Sequence, residues 1–291
     1  MPRVKIEVGR PTSLAPMSLT IESRATLNDG HKMPVLGLGV WQAASGKETR
    51  NAVATALQVG YRLIDTAKMY ANERDVGAAV RQSGVPRDEI FVTTKLWNSD
   101  HGYESALRAF ERSRRELALD YIDLYLIHWP VPGLRDESWK AFSKLHEEGL
   151  VRSIGVSNYT IRHLEEMLPS ASVAPSVNQV EFHPFLYQKE LLEFCRERKI
   201  QLEAYSPLAR GRRLTHRVIT EIAARYNRTP AQILIRWSLQ HGLVVIPKSV
   251  HPDRIRENAA VFDFDLNGDD MDRLDSLDER AHVAWNPDHQ P

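Results

Sequence analysis

The sequence holds one cysteine, Cys195, among 291 residues, so no internal disulfide can brace it and a reducing compartment suits it. It lacks any excess charge: 38 Lys and Arg balance 38 Asp and Glu, leaving no overall field to draw nucleic acid or an anionic bilayer. No apolar run approaches the ~18 residues of a membrane span, and Met1 to Ser18 has no apolar core of the signal-peptide kind. These absences predict a cytoplasmic protein with no nucleic-acid partner and no membrane contact. The histidines form no metal pattern either, because His146-Glu147-Glu148-Gly149-Leu150 places leucine where the second histidine of HExxH belongs. One cysteine cannot build a thiolate zinc site, so no metal is expected.

What is present is an ordinary globular mixture, 42% hydrophobic and 26% charged, enough for a large core. The length lies near the ~250 residues typical of one α/β barrel. Residues 1–18 carry no helical or strand period and read as a flexible arm, leaving residues 19–291 as one domain with a C-terminal tail. Between Thr20 and Pro34 two extended stretches flank Asn28-Asp29-Gly30, and Asp-Gly predicts a hairpin because both residues tolerate positive φ. From Val35 onward short apolar runs alternate with amphipathic segments. The runs are Val35 to Gly39, Leu63 to Asp65, Ile90 to Lys95, Ile122 to His128, Ser153 to Ser157, Ser176 to Glu181, Gln201 to Ser206 and Val244 to Pro247. Helical patterns between them include Lys47 to Val59, Tyr103 to Leu117, Glu137 to Glu148 and Glu190 to Glu197, and Thr229-Pro230 opens another that runs to His241. Eight strand-helix units predict a (β/α)8 TIM barrel. A doubly wound dinucleotide fold is disfavoured, since Gly37-Leu38-Gly39 is followed by Val40-Trp41-Gln42 and the third glycine of its fingerprint is missing.

In such a barrel the C-terminal ends of the strands face the active-site mouth, so titratable groups that end apolar runs are the ones to seek. Leu63-Ile64 ends in Asp65, Phe91-Val92-Thr93-Thr94 in Lys95, and Leu124-Tyr125-Leu126-Ile127 in His128. Tyr70 lies five residues beyond Asp65, in the following loop. A free tyrosine titrates near ~10, too high for an efficient proton donor, so a cation beside it is what makes acid chemistry plausible. Lys95 is expected to stabilise the Tyr70 phenolate and Asp65 to orient Lys95. Each residue alone is more often a surface ion pair or a packed ring; four on consecutive units are harder to dismiss. Trp41, Trp97 and Trp129 each follow a strand end and are expected to wall a pocket for a small substrate. Lys248, Ser249 and Arg254 surround a helix start near Pro252 that favours an anion, with Glu257 and Asn258 one turn on from Arg254. Cys195 shares an apolar helix face with Leu191 and Leu192 and reads as an inert packed thiol.

The stretch Gly60-Tyr61-Arg62-Leu63-Ile64-Asp65-Thr66-Ala67-Lys68-Met69-Tyr70-Ala71-Asn72-Glu73 resembles the first signature of the aldo-keto reductases. Tyr121-Ile122-Asp123-Leu124, Asn178-Gln179-Val180-Glu181-Phe182-His183-Pro184, Tyr205-Ser206-Pro207-Leu208 and Ile246-Pro247-Lys248-Ser249 are similar to later motifs of that family. The resemblance covers roughly Thr20 to Trp285. It implies that Asp65, Tyr70, Lys95 and His128 form the catalytic tetrad of an NADPH-dependent carbonyl reductase, in which Tyr70 gives a proton and neutral His128 positions the carbonyl oxygen. It also implies that Ser157, Asn158 and Gln179 bind the nicotinamide carboxamide and that Tyr205 stacks on the ring. Ser206 and Leu208 then lie beside the pyrophosphate, while Lys248, Ser249 and Arg254 hold the 2′-phosphate, with Glu257 and Asn258 near the adenine.

Few residues, Trp129 to Leu134, separate the fourth strand from its helix, and the connection after Leu208 is also brief. This resembles the bacterial members akin to diketogluconate reductases. Short loops predict a wide, shallow pocket for small, activated or polyhydroxylated carbonyls, such as dicarbonyls, sugar-type compounds or aromatic aldehydes, rather than steroids. The resemblance suggests a monomer. A cofactor-sensing binding protein of the same superfamily is the alternative, with no extra loop or tail visible for docking. A hydrolase using Asp65 would need a second carboxylate, for which Glu181 is the candidate.

Overall fold

The computed structural model describes residues 19–289, so the arm expected over residues 1–18 lies outside the described residues. The chain opens with an antiparallel hairpin, β1 (Arg24–Thr26) and β2 (Lys32–Pro34), which pairs Ala25 with Met33. Gly30 takes φ 89° at its turn, the left-handed region anticipated for Asp-Gly. Eight parallel strands follow: β3 (Gly37–Gly39), β4 (Leu63–Asp65), β5 (Phe91–Leu96), β6 (Ile122–Ile127), β7 (Val151–Ser157), β8 (Val177–Glu181), β9 (Gln201–Tyr205) and β10 (Val244–Val245). They pair in chain order, and Val245 N donates to Val35 O at 2.9 Å while Gly39 N donates to Pro247 O at 3.3 Å. The last strand thus returns to the first and closes the barrel.

The helices between them are α1 (Lys47–Val59), α2 (Glu73–Gln82), α3 (Tyr103–Leu117), α4 (Arg135–Glu147), α5 (Ile161–Met167), α6 (Lys189–Glu197), α7 (Arg217–Tyr226), α8 (Pro230–Gln240), α9 (Pro252–Ala259) and α10 (Gly268–Asp275). The bounds of α1 and α3 agree with the sequence pattern, and Thr229 caps α8 with Pro230 in its first turn. β10 is shorter than the apolar run Val244 to Pro247. Pro247 has no N–H to add to the ladder, and beyond Val245 the pairing reduces to single bonds such as Ile246 N to Ala204 O at 3.1 Å. No helix among the described residues is long and apolar enough to cross a membrane.

Period-two alternation sorts the strand residues into two clusters. Ile64, Val92, Tyr125, Ile127, Val156 and Leu202 pack outward against helices, whereas Leu63, Leu124, Leu126, Val177 and Val244 pack inside the barrel. The interior is too narrow for a side chain at every inward position. A Cβ on Gly37 would lie 2.5 Å from Leu63 Cγ, and one on Gly155 would lie 2.5 Å from Val177 O. Leu27 and Met33 of the hairpin join the inner cluster, and Asn28 Nδ2 donates to Pro175 O just before β8. The hairpin therefore plugs the N-terminal end of the barrel and leaves the opposite end for chemistry.

Candidate active site

Asp65 ends β4 and Lys95 lies near the end of β5, both turned inward at the top of the apolar layers. Lys95 Nζ donates to both oxygens of Asp65 at 2.7 Å and to Thr66 O at 2.9 Å. With the lysine fully buried and the aspartate nearly so, this saturation is what makes a buried charge tolerable. Tyr70 sits on a single helical turn, Lys68–Tyr70, whose placement depends on Asn72. The Asn72 side chain accepts from Thr66 Oγ1 at 2.7 Å and donates to Val40 O at 3.0 Å, fastening the loop to two strand ends. Tyr70 Oη then lies 3.5 Å from Lys95 Nζ. His128 follows β6 and meets Tyr70 edge to face, with ring centroids 5.8 Å apart.

Burial, and then the positive charge of Lys95, hold the His128 imidazole well below its ordinary range, so it is neutral at neutral pH. The Tyr70 phenol is pushed well above its ordinary value by burial, then by the negative charges of Asp65 and Glu203. Lys95 is not among the causes of that shift. The lysine's charge is engaged at 2.7 Å by Asp65, and its contact with Tyr70 is long. The ground state is therefore a protonated phenol beside a neutral imidazole.

Above this floor opens a cleft of about 950 Å³ that gathers nearly all the residues expected from the sequence. Ser157, Asn158 and Gln179 form one network on its side. Ser157 Oγ donates to Gln179 O at 2.8 Å, Asn158 Nδ2 to His128 O at 2.9 Å, and Tyr205 Oη to Asn158 Oδ1 at 2.8 Å. Gln179 Nε2 donates to Asp65 Oδ2 and to Glu203 Oε2, both at 2.8 Å. Ser206 and Leu208 continue the wall. At the far end are Lys248, Ser249, Arg254, Glu257 and Asn258. Glu257 is held by Thr229 Oγ1 at 2.6 Å, whereas no ion pair is formed by Lys248 or Arg254 among the described residues. Trp41 and Trp129 line the cleft. Trp97 follows β5 and stands edge-on against the His128 ring, with centroids 5.2 Å apart.

Two residues, Glu203 and Arg210, and one contact, that of Glu181 with the tail, escaped the sequence reading. Glu203 lies fully buried inside the barrel. Arg210, in a loop where Ser206, Ala209 and Arg210 all take positive φ, places its guanidinium 4.4 Å over the Trp41 ring at the cleft edge. Glu181, at the end of β8, accepts from Val283 N at 2.7 Å and Ala284 N at 3.0 Å. That latch brings the C-terminal tail over the mouth and sets Trp285 at 5.7 Å from Trp129. An acid, Glu203, between Leu202 and Ala204 in an apolar run was the one available signal for the first. For the tail there was none.

A model of the aldo/keto reductase family matches residues 35–279. The chain belongs to the aldo/keto reductase family. This aldo/keto reductase is 49% identical over 272 residues to the glyoxal reductase of Bacillus subtilis, covering 94% of this chain and 99% of that one. It is 48% identical over 266 residues to the methylglyoxal reductase DkgA of Escherichia coli, covering 90% and 96%. Among solved structures it matches a mutant of Gox0644 in complex with NADPH, with a TM-score of 0.87, 45% identity and coverage of 92% of this chain and 98% of that one. The motifs by which the aldo/keto reductase resemblance was read, from Gly60 through Ser249, fall within the matched region. Its connection from β6 to α4 is short, residues 128–134, so the tail supplies an apolar wall that this loop is too brief to form.

Proposed function

We propose that the protein is an NADPH-dependent reductase that converts small aldehydes and ketones to alcohols, with Tyr70 as the proton donor. The observation that carries this reading is the floor of the cleft, where a buried Lys95 reaches Asp65 at 2.7 Å and Tyr70 Oη at 3.5 Å with His128 alongside. The cofactor fits the residues present. Two cations without acidic partners among the described residues, Lys248 and Arg254, lie at the start of α9 and suit the 2′-phosphate together with Ser249. Glu257 and Asn258 share that helix toward the adenine, Ser206 and Leu208 border the middle of the cleft beside the pyrophosphate, and Ser157, Asn158, Gln179 and Tyr205 surround its inner end for the nicotinamide.

Bound NADPH supplies a hydride to the carbonyl carbon. His128, being neutral, can only donate to the substrate oxygen and so fixes its position. Tyr70 passes its proton to that oxygen as negative charge builds there, and Lys95 then faces the phenolate, so its 3.5 Å contact gains strength in the transition state rather than before it. Asp65 keeps the lysine aimed. The substrate class is supported by the brief β6–α4 connection and by relatives named for glyoxal and methylglyoxal reduction. An electron-withdrawing neighbour raises carbonyl reactivity, so dicarbonyls and substituted benzaldehydes need less binding energy than steroid ketones.

A carbonyl panel followed by NADPH absorbance tests the reading, with Tyr70→Phe beside the wild type. The variant keeps the ring, so NADPH binding persists while reduction falls by ~10²-fold or more. Near wild-type reduction by Tyr70→Phe overturns the assignment of the acid. Tight NADPH binding with no turnover of any carbonyl would instead favour a cofactor-sensing binding protein.

A further inference from the structure

Two carboxyl groups and one lysine share the dry top of the barrel. Glu203 sits in the middle of β9, in register with Gln179 on one side and Val244 on the other, and its side chain has no solvent exposure. The three N–H bonds of Lys95 are taken by the two Asp65 oxygens and Thr66 O, with Tyr70 Oη the next atom out. Glu203 therefore has no cation of its own. Its Oε2 accepts from Gln179 Nε2 at 2.8 Å, and its Oε1 is buried without a partner among the described residues. The other hydrogen of that Gln179 amide goes to Asp65 Oδ2 at 2.8 Å. An amide whose NH₂ bridges two carboxyl groups must turn its carbonyl oxygen away from both, and the space left for it is the cleft that Gln179 lines.

We propose that Glu203 is a positioning residue that works as a neutral carboxylic acid, fixing the Gln179 amide with its carbonyl toward the nicotinamide carboxamide and leaving Lys95 to a single carboxylate. The proposal rests on the reading of the cleft as an NADPH-dependent carbonyl reductase site. Two carboxylates this close to one saturated lysine cannot both ionise cheaply, and Asp65 holds the lysine directly, so the proton belongs to Glu203. Burial, and then the charge of Asp65, push the Glu203 carboxyl up to about 8.

The groups that face Glu203 are Asp65 from β4, Lys95 from β5, Gln179 from β8 and Tyr70 from the loop after β4, while β10 offers only Val244. When Glu203 ionises, a second negative charge meets Lys95 and opposes the phenolate that Tyr70 must form. Reduction should therefore slow as pH rises through about 8. Stability follows the same sign. A carboxyl raised in the folded state favours folding at low pH, and that contribution is lost as pH climbs from the ordinary carboxyl range through the raised value.

Glu203→Gln has the same shape and never ionises. At pH 6.5 its NADPH affinity, read by fluorescence titration, and its reduction rate should stay within about twofold of wild type. Wild-type kcat should fall of order tenfold on the alkaline side, the effect of one charge added nearby in a medium of moderate dielectric. The variant should lose that fall and also the decline in Tm that wild type shows between about pH 4.5 and 8. Glu203→Leu fills the space but removes the acceptor for Gln179, so its NADPH Kd should rise by about tenfold, as for one lost hydrogen bond. Rate profiles that coincide above about pH 8 in wild type and Glu203→Gln, or Tm profiles that coincide between about pH 4.5 and 8, overturn the proposal, as does unchanged NADPH affinity in Glu203→Leu. A wild type that reduces no carbonyl sinks the proposed function instead, while the Tm profile and NADPH titrations still decide the role of Glu203.

Discussion

Glu181→Gln should loosen the C-terminal tail without disturbing the barrel. Burial alone would raise the Glu181 carboxyl, but hydrogen bonds from His183, His282 and Val283 N–H outweigh it and hold the group at about 2, against an ordinary 4.5. A difference of that size corresponds to about 3 kcal/mol of preference for the charged form, and with only 2% of the residue exposed solvent screens little of it. The glutamine keeps Oε1 for Val283 N but sets an NH₂ against Ala284 N–H and His282, so about 2–3 kcal/mol is lost. The tail can open by itself, so the loss is read locally rather than in Tm. Amide exchange at Val283 and Ala284 should speed by about 30- to 100-fold at pH 7, while the amides of β6 keep their rates. With Trp285 released from Trp129, KM for an aromatic aldehyde should rise and NADPH affinity should not change. The contribution of a lowered carboxyl is present above about 4.5 and fades as pH falls toward about 2, so wild type should lose tail protection in acid and the variant should show little such dependence. Unchanged exchange at Val283 and Ala284 in the variant would refute the latch.

Lys248→Ala and Arg254→Ala should each weaken NADPH binding by about 10- to 100-fold and NADH binding far less, since a charge-assisted contact to the 2′-phosphate is worth about 1.5–3 kcal/mol. Equal losses for the two cofactors in equilibrium titrations would show that these cations act elsewhere. Arg210→Ala removes the guanidinium stacked on Trp41, a contact worth about 0.5–1 kcal/mol, so NADPH and NADH should both dissociate about two- to fivefold faster in stopped-flow displacement. Unaltered dissociation rates would leave Arg210 without a part in holding the cofactor.

Much of this architecture was legible because a barrel repeats one unit, and each unit announces itself by an apolar run ending in a polar residue. Asp65, Lys95 and His128 were found that way. Glu203 was not, for a reason specific to closure. In an open sheet a charged residue between Leu202 and Ala204 reads as the solvent face of a half-buried strand, but closing the sheet buries both faces and turns that position into the interior. Trp97 was placed by its position after β5, and its ring lies against His128; its orientation was not legible, because strand period says nothing about the loop that follows. The latch on Glu181 joins residues about a hundred positions apart, Glu181 and Val283, through backbone N–H groups that every residue carries, so no side-chain pattern could mark it. Gly77 inside α2 is required by contact: a Cβ there would lie 1.8 Å from Leu117 O.

The placement of charge along the cleft divides its work. At the floor no charge stands unmatched among the described residues before substrate arrives: Lys95 pairs with Asp65, Glu203 takes a hydrogen bond from Gln179, and His128 is neutral. In the proposed reaction such a floor offers little attraction to a ground-state carbonyl, which is uncharged, and responds only when negative charge develops on the oxygen and then on Tyr70. At the far end Lys248 and Arg254 stand without acidic partners among the described residues, and in the proposed binding mode their interaction with the 2′-phosphate would be the same before, during and after the chemical step. Energy of the first kind lowers the barrier, whereas energy of the second kind secures the cofactor uniformly. Substitutions at Tyr70 or Lys95 should therefore appear in kcat, those at Lys248 or Arg254 in cofactor Kd, and those at Trp129 or Trp285, which touch neither charge system, in the KM of the carbonyl.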